Sequence, residues 1–103
     1  MRAITGNEQL EELSSNLQTF DTEAWLLPRS ALVNLLNRFL KDEISADYVE
    51  KYADVVEFNE AVIYEPAGKK IIAECLFLLS APEINGLLTH EYATTLIRRL
   101  VAF

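Results

Sequence analysis

Apolar residues recur along this chain with the spacing of a helix, and few residues interrupt it. Three glycines and three prolines punctuate 103 residues. Leu10, Leu13, Leu17 and Phe20 fall on one helical face. Thr5-Gly6-Asn7-Glu8 before them reads as a capping box, so the first helix is expected to open after Thr5. Pro28 pushes Leu27 toward an extended conformation and suits a helical first turn. A second helix then runs to about Lys41. Leu32, Val33, Leu35, Leu36, Phe39 and Leu40 form its apolar stripe, and Arg29, Asn34, Asn37 and Arg38 point outward.

Ser45 is a good N-cap for a third helix. At about 100° per residue from Asp47, Tyr48, Val49, Tyr52, Ala53, Val55 and Val56 fall between about 80° and 240°. Asp47, Glu50, Asp54 and Glu57 fall between about 0° and −80°, a ridge about 15 Å long at ~1.5 Å per residue. Residues 59–66 allow a helical extension, a loop or a short strand, and Pro66-Ala67-Gly68 is a break. A fourth helix covers roughly 69–80, with Ile71, Ile72, Cys75, Leu76, Leu78 and Leu79 inward. Pro82 to Gly86 suggests one helical turn stopped by Gly86. Thr89 caps a last helix through Tyr92, Leu96, Ile97, Leu100 and Val101. The expected fold is an all-α bundle of about five helices forming one domain over 1–103, a size that supports a core without staples.

Charge sharpens this picture. The chain carries 16 acidic and 9 basic residues, a net of −7. Eight of the carboxylates lie between Asp42 and Glu65: Asp42, Glu43, Asp47, Glu50, Asp54, Glu57, Glu60 and Glu65. Only Lys51 opposes them, so this segment holds −7 and the other eight acids balance eight bases. A solubility surface would interleave its signs. Asp47/Glu50, Glu50/Asp54 and Asp54/Glu57 are like-charge pairs at about 0.2–0.5 kcal/mol each, so the ridge costs about 1 kcal/mol. A solvated face is the plain alternative to a functional one. The acidic balance argues against direct nucleic-acid binding and against an anionic membrane surface.

Other chemistries find little footing. Cys75 is the single cysteine and sits among Ile72, Leu76 and Leu79, so it reads as a buried structural thiol in a reducing compartment. His90 is the single histidine, beside a helix N-terminus that disfavours positive charge. No glycine-rich phosphate loop, His-Glu-x-x-His or calcium loop occurs, and no catalytic residue, cofactor or metal site is expected. A helical enzyme would have to rest on a buried carboxylate such as Glu74. No signal-peptide core or apolar stretch of spanning length is present, so a soluble, cytoplasmic protein is expected. A row of carboxylates about 5–6 Å apart resembles the charge spacing of a nucleic-acid backbone and suits a Lys/Arg-lined cleft. Ile63 and Tyr64 beside the ridge are candidates for an apolar anchor, or for the core.

The run Leu35-Leu36-Asn37-Arg38-Phe39-Leu40-Lys41-Asp42-Glu43-Ile44-Ser45-Ala46-Asp47, continued by Glu50, resembles small bacterial immunity proteins of the colicin D type. It is also similar to the helical immunity proteins of contact-dependent growth inhibition systems. The resemblance covers about 25 residues well and implies a compact helical protein that binds a nuclease toxin, often an RNase, and occludes its active site. The N-terminal helix and residues 82–86 depart from the colicin-type pattern. The resulting expectation is a 1:1 complex with a cognate basic nuclease domain, with no direct nucleic acid, membrane or small-molecule substrate. Asp47, Glu50, Asp54, Glu57 and Glu60 would lead the contact, Asp42, Glu43 and Glu65 would lie at its margin, and Tyr64 is the candidate apolar anchor. The alternative is an acidic adaptor or regulatory subunit that uses the same face on a basic, non-toxic partner.

Overall fold

A computed structural model describes residues 2–17 and 24–102. Among these residues it contains six α-helices and three short strands, so the molecule is mostly helical but not all-α. The helices are α1 (Leu10–Leu17), α2 (Arg29–Leu40), α3 (Ala46–Glu57), α4 (Lys69–Ser80), α5 (Pro82–Asn85) and α6 (His90–Val101). The strands are β1 (Arg2–Ala3), β2 (Trp25–Leu27) and β3 (Val62–Tyr64), paired in parallel in that order. Trp25 faces Arg2 on one side and Val62 on the other, and Leu27 faces Tyr64. Parallel pairing needs a crossover between strands. The segment containing α1 supplies the first, and α2 with α3 the second. Of the three options for residues 59–66, the strand is realised over Val62–Tyr64, followed by a 3-10 turn at Pro66–Gly68.

The third, fourth and last helices begin and end close to where their periodicity places them. Ser45 and Thr89 have extended backbones, and their side chains accept from the Tyr48 and Tyr92 amides at 3.1 Å each. On α3, Val49, Tyr52, Ala53 and Val56 are buried while Tyr48 and Val55 pack at the edge of the core. α2 buries Leu32, Leu35, Leu36 and Phe39, and α4 buries Ile71, Ile72, Cys75, Leu76 and Leu79. Each such side chain contributes about 1.5–3 kcal/mol by leaving water. On α6 the buried residues are Ala93, Leu96 and Leu100, and Val101 at its end is exposed. Phe20 lies outside the described residues.

The N-terminus departs most from its expectation. Glu8 does accept the Thr5 amide at 2.8 Å, but Thr5 Oγ1 accepts from Asn7 rather than from Glu8. Thr5–Glu8 is therefore a polar turn, and α1 starts at Leu10. Two tyrosines of α3 hold this turn and the start of α1. The Tyr52 hydroxyl donates to Glu8 Oε1 at 2.6 Å, and the Tyr48 hydroxyl accepts from the Leu10 amide at 2.6 Å. Arg38, expected to face outward, is half-buried and donates to the Gly6 carbonyl at 3.0 Å. Gly6 has φ +84°, and a Cβ there would stand 2.0 Å from the Ala31 carbonyl oxygen, so only glycine lets the turn lie on α2.

Candidate acidic docking surface

Helical periodicity puts Asp47, Glu50, Asp54 and Glu57 on one side of α3, away from its buried Val49, Tyr52, Ala53 and Val56. These four carboxylates differ in their surroundings. Asp47 is exposed and pairs with Lys51 one turn on, at 3.0 Å. Glu50 is half-buried and makes no ion pair among the described residues. Asp54 is half-buried too, and burial, followed by the nearby charge of Glu83, pushes its carboxyl above the usual range. Glu57 accepts from Ser80 Oγ at 2.7 Å, which ties the end of α3 to the end of α4.

Glu83 belongs to α5 and lies 29 residues from Asp54 in the chain, outside the segment singled out by charge. α4 packs on α3 and α5 on α4, which brings Glu83 near Asp54. The turn that delivers Glu83 also carries exposed apolar side chains: Ile84 is 74% and Leu87 is 75% exposed. Phe77 on α4 and Phe58 at the end of α3 are exposed as well. Exposed large apolar groups beside carboxylates make this face the candidate for a docking surface. The signal for Glu83 in the sequence was only the Pro82-Glu83 start of a helical turn, which does not say which helix it meets.

The remaining candidates are placed elsewhere. Asp42 has φ +60° and closes α2. Its amide donates to the Phe39 carbonyl, and the Glu43 amide donates to the Arg38 carbonyl at 2.9 Å, a Schellman ending with aspartate in the position glycine prefers. Asp42 Oδ1 also lies 3.3 Å from His90 Nε2. Glu43 and Glu60 are exposed. Glu65 accepts from Arg29 Nε at 2.8 Å, and hydrogen bonding from Arg29 holds its carboxyl below the usual range. It thus places a negative charge at the start of α2, where the helix dipole favours it. Tyr64 is half-buried against the core, while Ile63 beside it is exposed. The ridge is therefore one cluster on α3 and α5, and Asp42 and Glu65 are engaged in helix ends.

Burial pushes the Cys75 thiol up to about 12, away from a reactive thiolate. His90 is exposed and packs edge-on against Phe39 at 5.3 Å between ring centres. Glu74, the carboxylate that an enzyme would need buried, is exposed and pairs with Arg99 at 2.6 Å. Among the described residues no group of three His, Cys, Asp or Glu side chains is placed to hold a metal ion. No helix there is long and apolar enough to cross a membrane. No protein family, curated protein or solved structure matches the chain.

Proposed function

We propose that this chain is a non-catalytic binding protein that neutralises a nuclease by seating its acidic face over the basic cleft where the nucleic acid lies. One observation carries the reading. Glu50, Asp54 and Glu83, from two helices, make no ion pair among the described residues, and the one lysine of this stretch, Lys51, pairs with Asp47. Their mutual repulsion costs stability, and a cationic partner surface would relieve it. Complementary charge of this kind speeds encounter and sets orientation, while the apolar side chains beside it, Ile84 and Leu87, provide the area that desolvates on contact. The resemblance of residues 35–50 to colicin D-type and contact-dependent growth inhibition immunity proteins agrees with this role, and makes an RNase domain the leading partner.

The test looks for a nuclease-type protein encoded beside this gene, purifies it, and measures RNA cleavage as the chain is titrated in; a neighbour of another kind would count against the nuclease reading. The expected result is inhibition complete at one equivalent. Uninhibited cleavage by a protein that binds the chain tightly would overturn the occlusion mechanism. A basic partner without nuclease activity would favour the adaptor role.

A further inference from the structure

A cavity of about 140 Å³ opens next to the acidic face, between the start of α3, the ends of α4 and α5, and the start of α6. Its walls are apolar, with Val49, Leu78, Leu79, Leu88 and the Tyr92 ring among them. Its polar lining includes the carboxylate residues Asp47 and Glu50, and the highly exposed Leu87 forms part of its collar. Small-molecule sites run to about 300–1,000 Å³, so this one is too small for a typical ligand. It is close to the ~150 Å³ that holds one benzene-sized group.

We infer that this cavity is a socket for one arginine side chain of the partner protein. Its lining combines the two kinds of surface that side chain needs, apolar walls and carboxylates. The apolar walls cover the methylene stem, which gains by leaving water. The guanidinium meets Asp47 and Glu50, whose carboxylates match its forked donors. Glu50 is half-buried without a cation among the described residues, and Asp47 has only an exposed lysine. An arginine in the socket supplies the missing counter-charge. A neutral apolar side chain would fill the cavity but leave Glu50 without an ion pair, and a small anion would be repelled. The inference rests on the proposed docking face and names its anchor: a basic cleft whose rim projects an arginine.

The socket is tested on the full chain by two-dimensional NMR titration with the peptide acetyl-Gly-Arg-Gly-amide. The control peptide carries citrulline, which keeps the shape and removes the charge. The expected result is saturable shifts at the amides of Gly86, Leu87, Leu88 and Tyr92, with Kd in the range of about 1–10 mM suited to one side chain. Citrulline should bind at least tenfold more weakly. Glu50→Gln should weaken the arginine peptide several-fold, and Ala46→Leu, which fills the socket from its α3 wall, should abolish the shifts while circular dichroism stays unchanged. Silence at these amides, or equal binding of citrulline, would overturn the socket. A hexalysine peptide run in parallel separates this from the wider reading. Shifts at Asp54 and Glu57 with a silent socket remove the socket and leave the acidic face standing, whereas silence at both removes both.

Discussion

Tyr52→Phe removes one oxygen atom and tests how the N-terminal turn is held. The Tyr52 side chain is fully buried, and its hydroxyl donates to Glu8 Oε1 at 2.6 Å. Phenylalanine keeps the ring and its packing, so the perturbation is confined to that bond. Burial pushes the Glu8 carboxyl up, but donation from Tyr52 and from the Thr5 amide outweighs it and holds the group below its usual 4.5. A hydrogen bond to a charged group is worth about 1.5–3 kcal/mol. Two backbone donors, Thr5 and Gly6, remain on Glu8, and the carboxylate is only half-buried. The expected loss therefore lies at the lower end, about 1.5–2 kcal/mol. For a domain of this size that lowers Tm by roughly 6–16 °C.

The assay is urea unfolding followed by circular dichroism, with an unchanged m-value required. A folded pKa below the unfolded one stabilises the protein above about 4.5, and that contribution fades as pH falls through the folded value. The difference between wild type and Tyr52→Phe should accordingly be full at pH 7 and shrink toward pH 3. A Glu8→Gln cycle should show positive coupling between the two sites. A loss under about 0.5 kcal/mol, below the range for a charged hydrogen bond, or a loss independent of pH, would refute the latch.

Asp42→Gly should stabilise the protein by about 0.5–1 kcal/mol, because glycine occupies a left-handed helix ending without a Cβ penalty and removes a negative charge from the C-terminal end of α2. Its urea midpoint should rise even though the contact to His90 is lost. Cys75 should react with a thiol reagent at pH 8 only as fast as the protein unfolds, since burial keeps it a thiol up to about 12. Rapid labelling under native conditions would contradict its place in the core. Asp54→Asn should raise stability at pH 7 by roughly 0.3–0.5 kcal/mol, the scale of one like-charge contact. Because the Asp54 carboxyl is raised in the fold, that gain should disappear below about pH 4, where aspartate is protonated in both states. A gain in stability together with weaker partner binding is the signature of a residue kept for function.

The parts of this molecule legible in its sequence are those written in local periodicity. α3, α4 and α6 each span twelve residues, present one apolar stripe, and in two cases begin at a serine or threonine cap, so their faces and starts followed from spacing alone. The α3 ridge was legible for the same reason. The sheet was not, because strands of two or three residues cannot carry an alternating pattern, and its parallel pairs join positions 2, 25 and 62 across helices. Thr5–Glu8 misled because its residues match a helix cap while the turn's geometry is set by Tyr52, 44 residues away from Glu8. Glu83, Ile84, Leu87 and the cavity beside them depend on how α5 settles against α3, a tertiary event with no local signature. Glu65 looked like part of the acidic run until Arg29, 36 residues earlier, was found to hold it.

The central claim is that the carboxylates on α3 and α5 are the binding surface, and charge reversal tests it most directly. Inhibition of the partner nuclease is titrated with wild type and with Asp54→Lys/Glu83→Lys, at low and at moderate salt. Each reversal is expected to cost about 1.4 kcal/mol at the interface, so the double variant should bind about 100-fold more weakly with its helical circular dichroism intact. The gap should narrow as added salt screens the charges. An unchanged inhibition constant in a folded double variant would contradict the account.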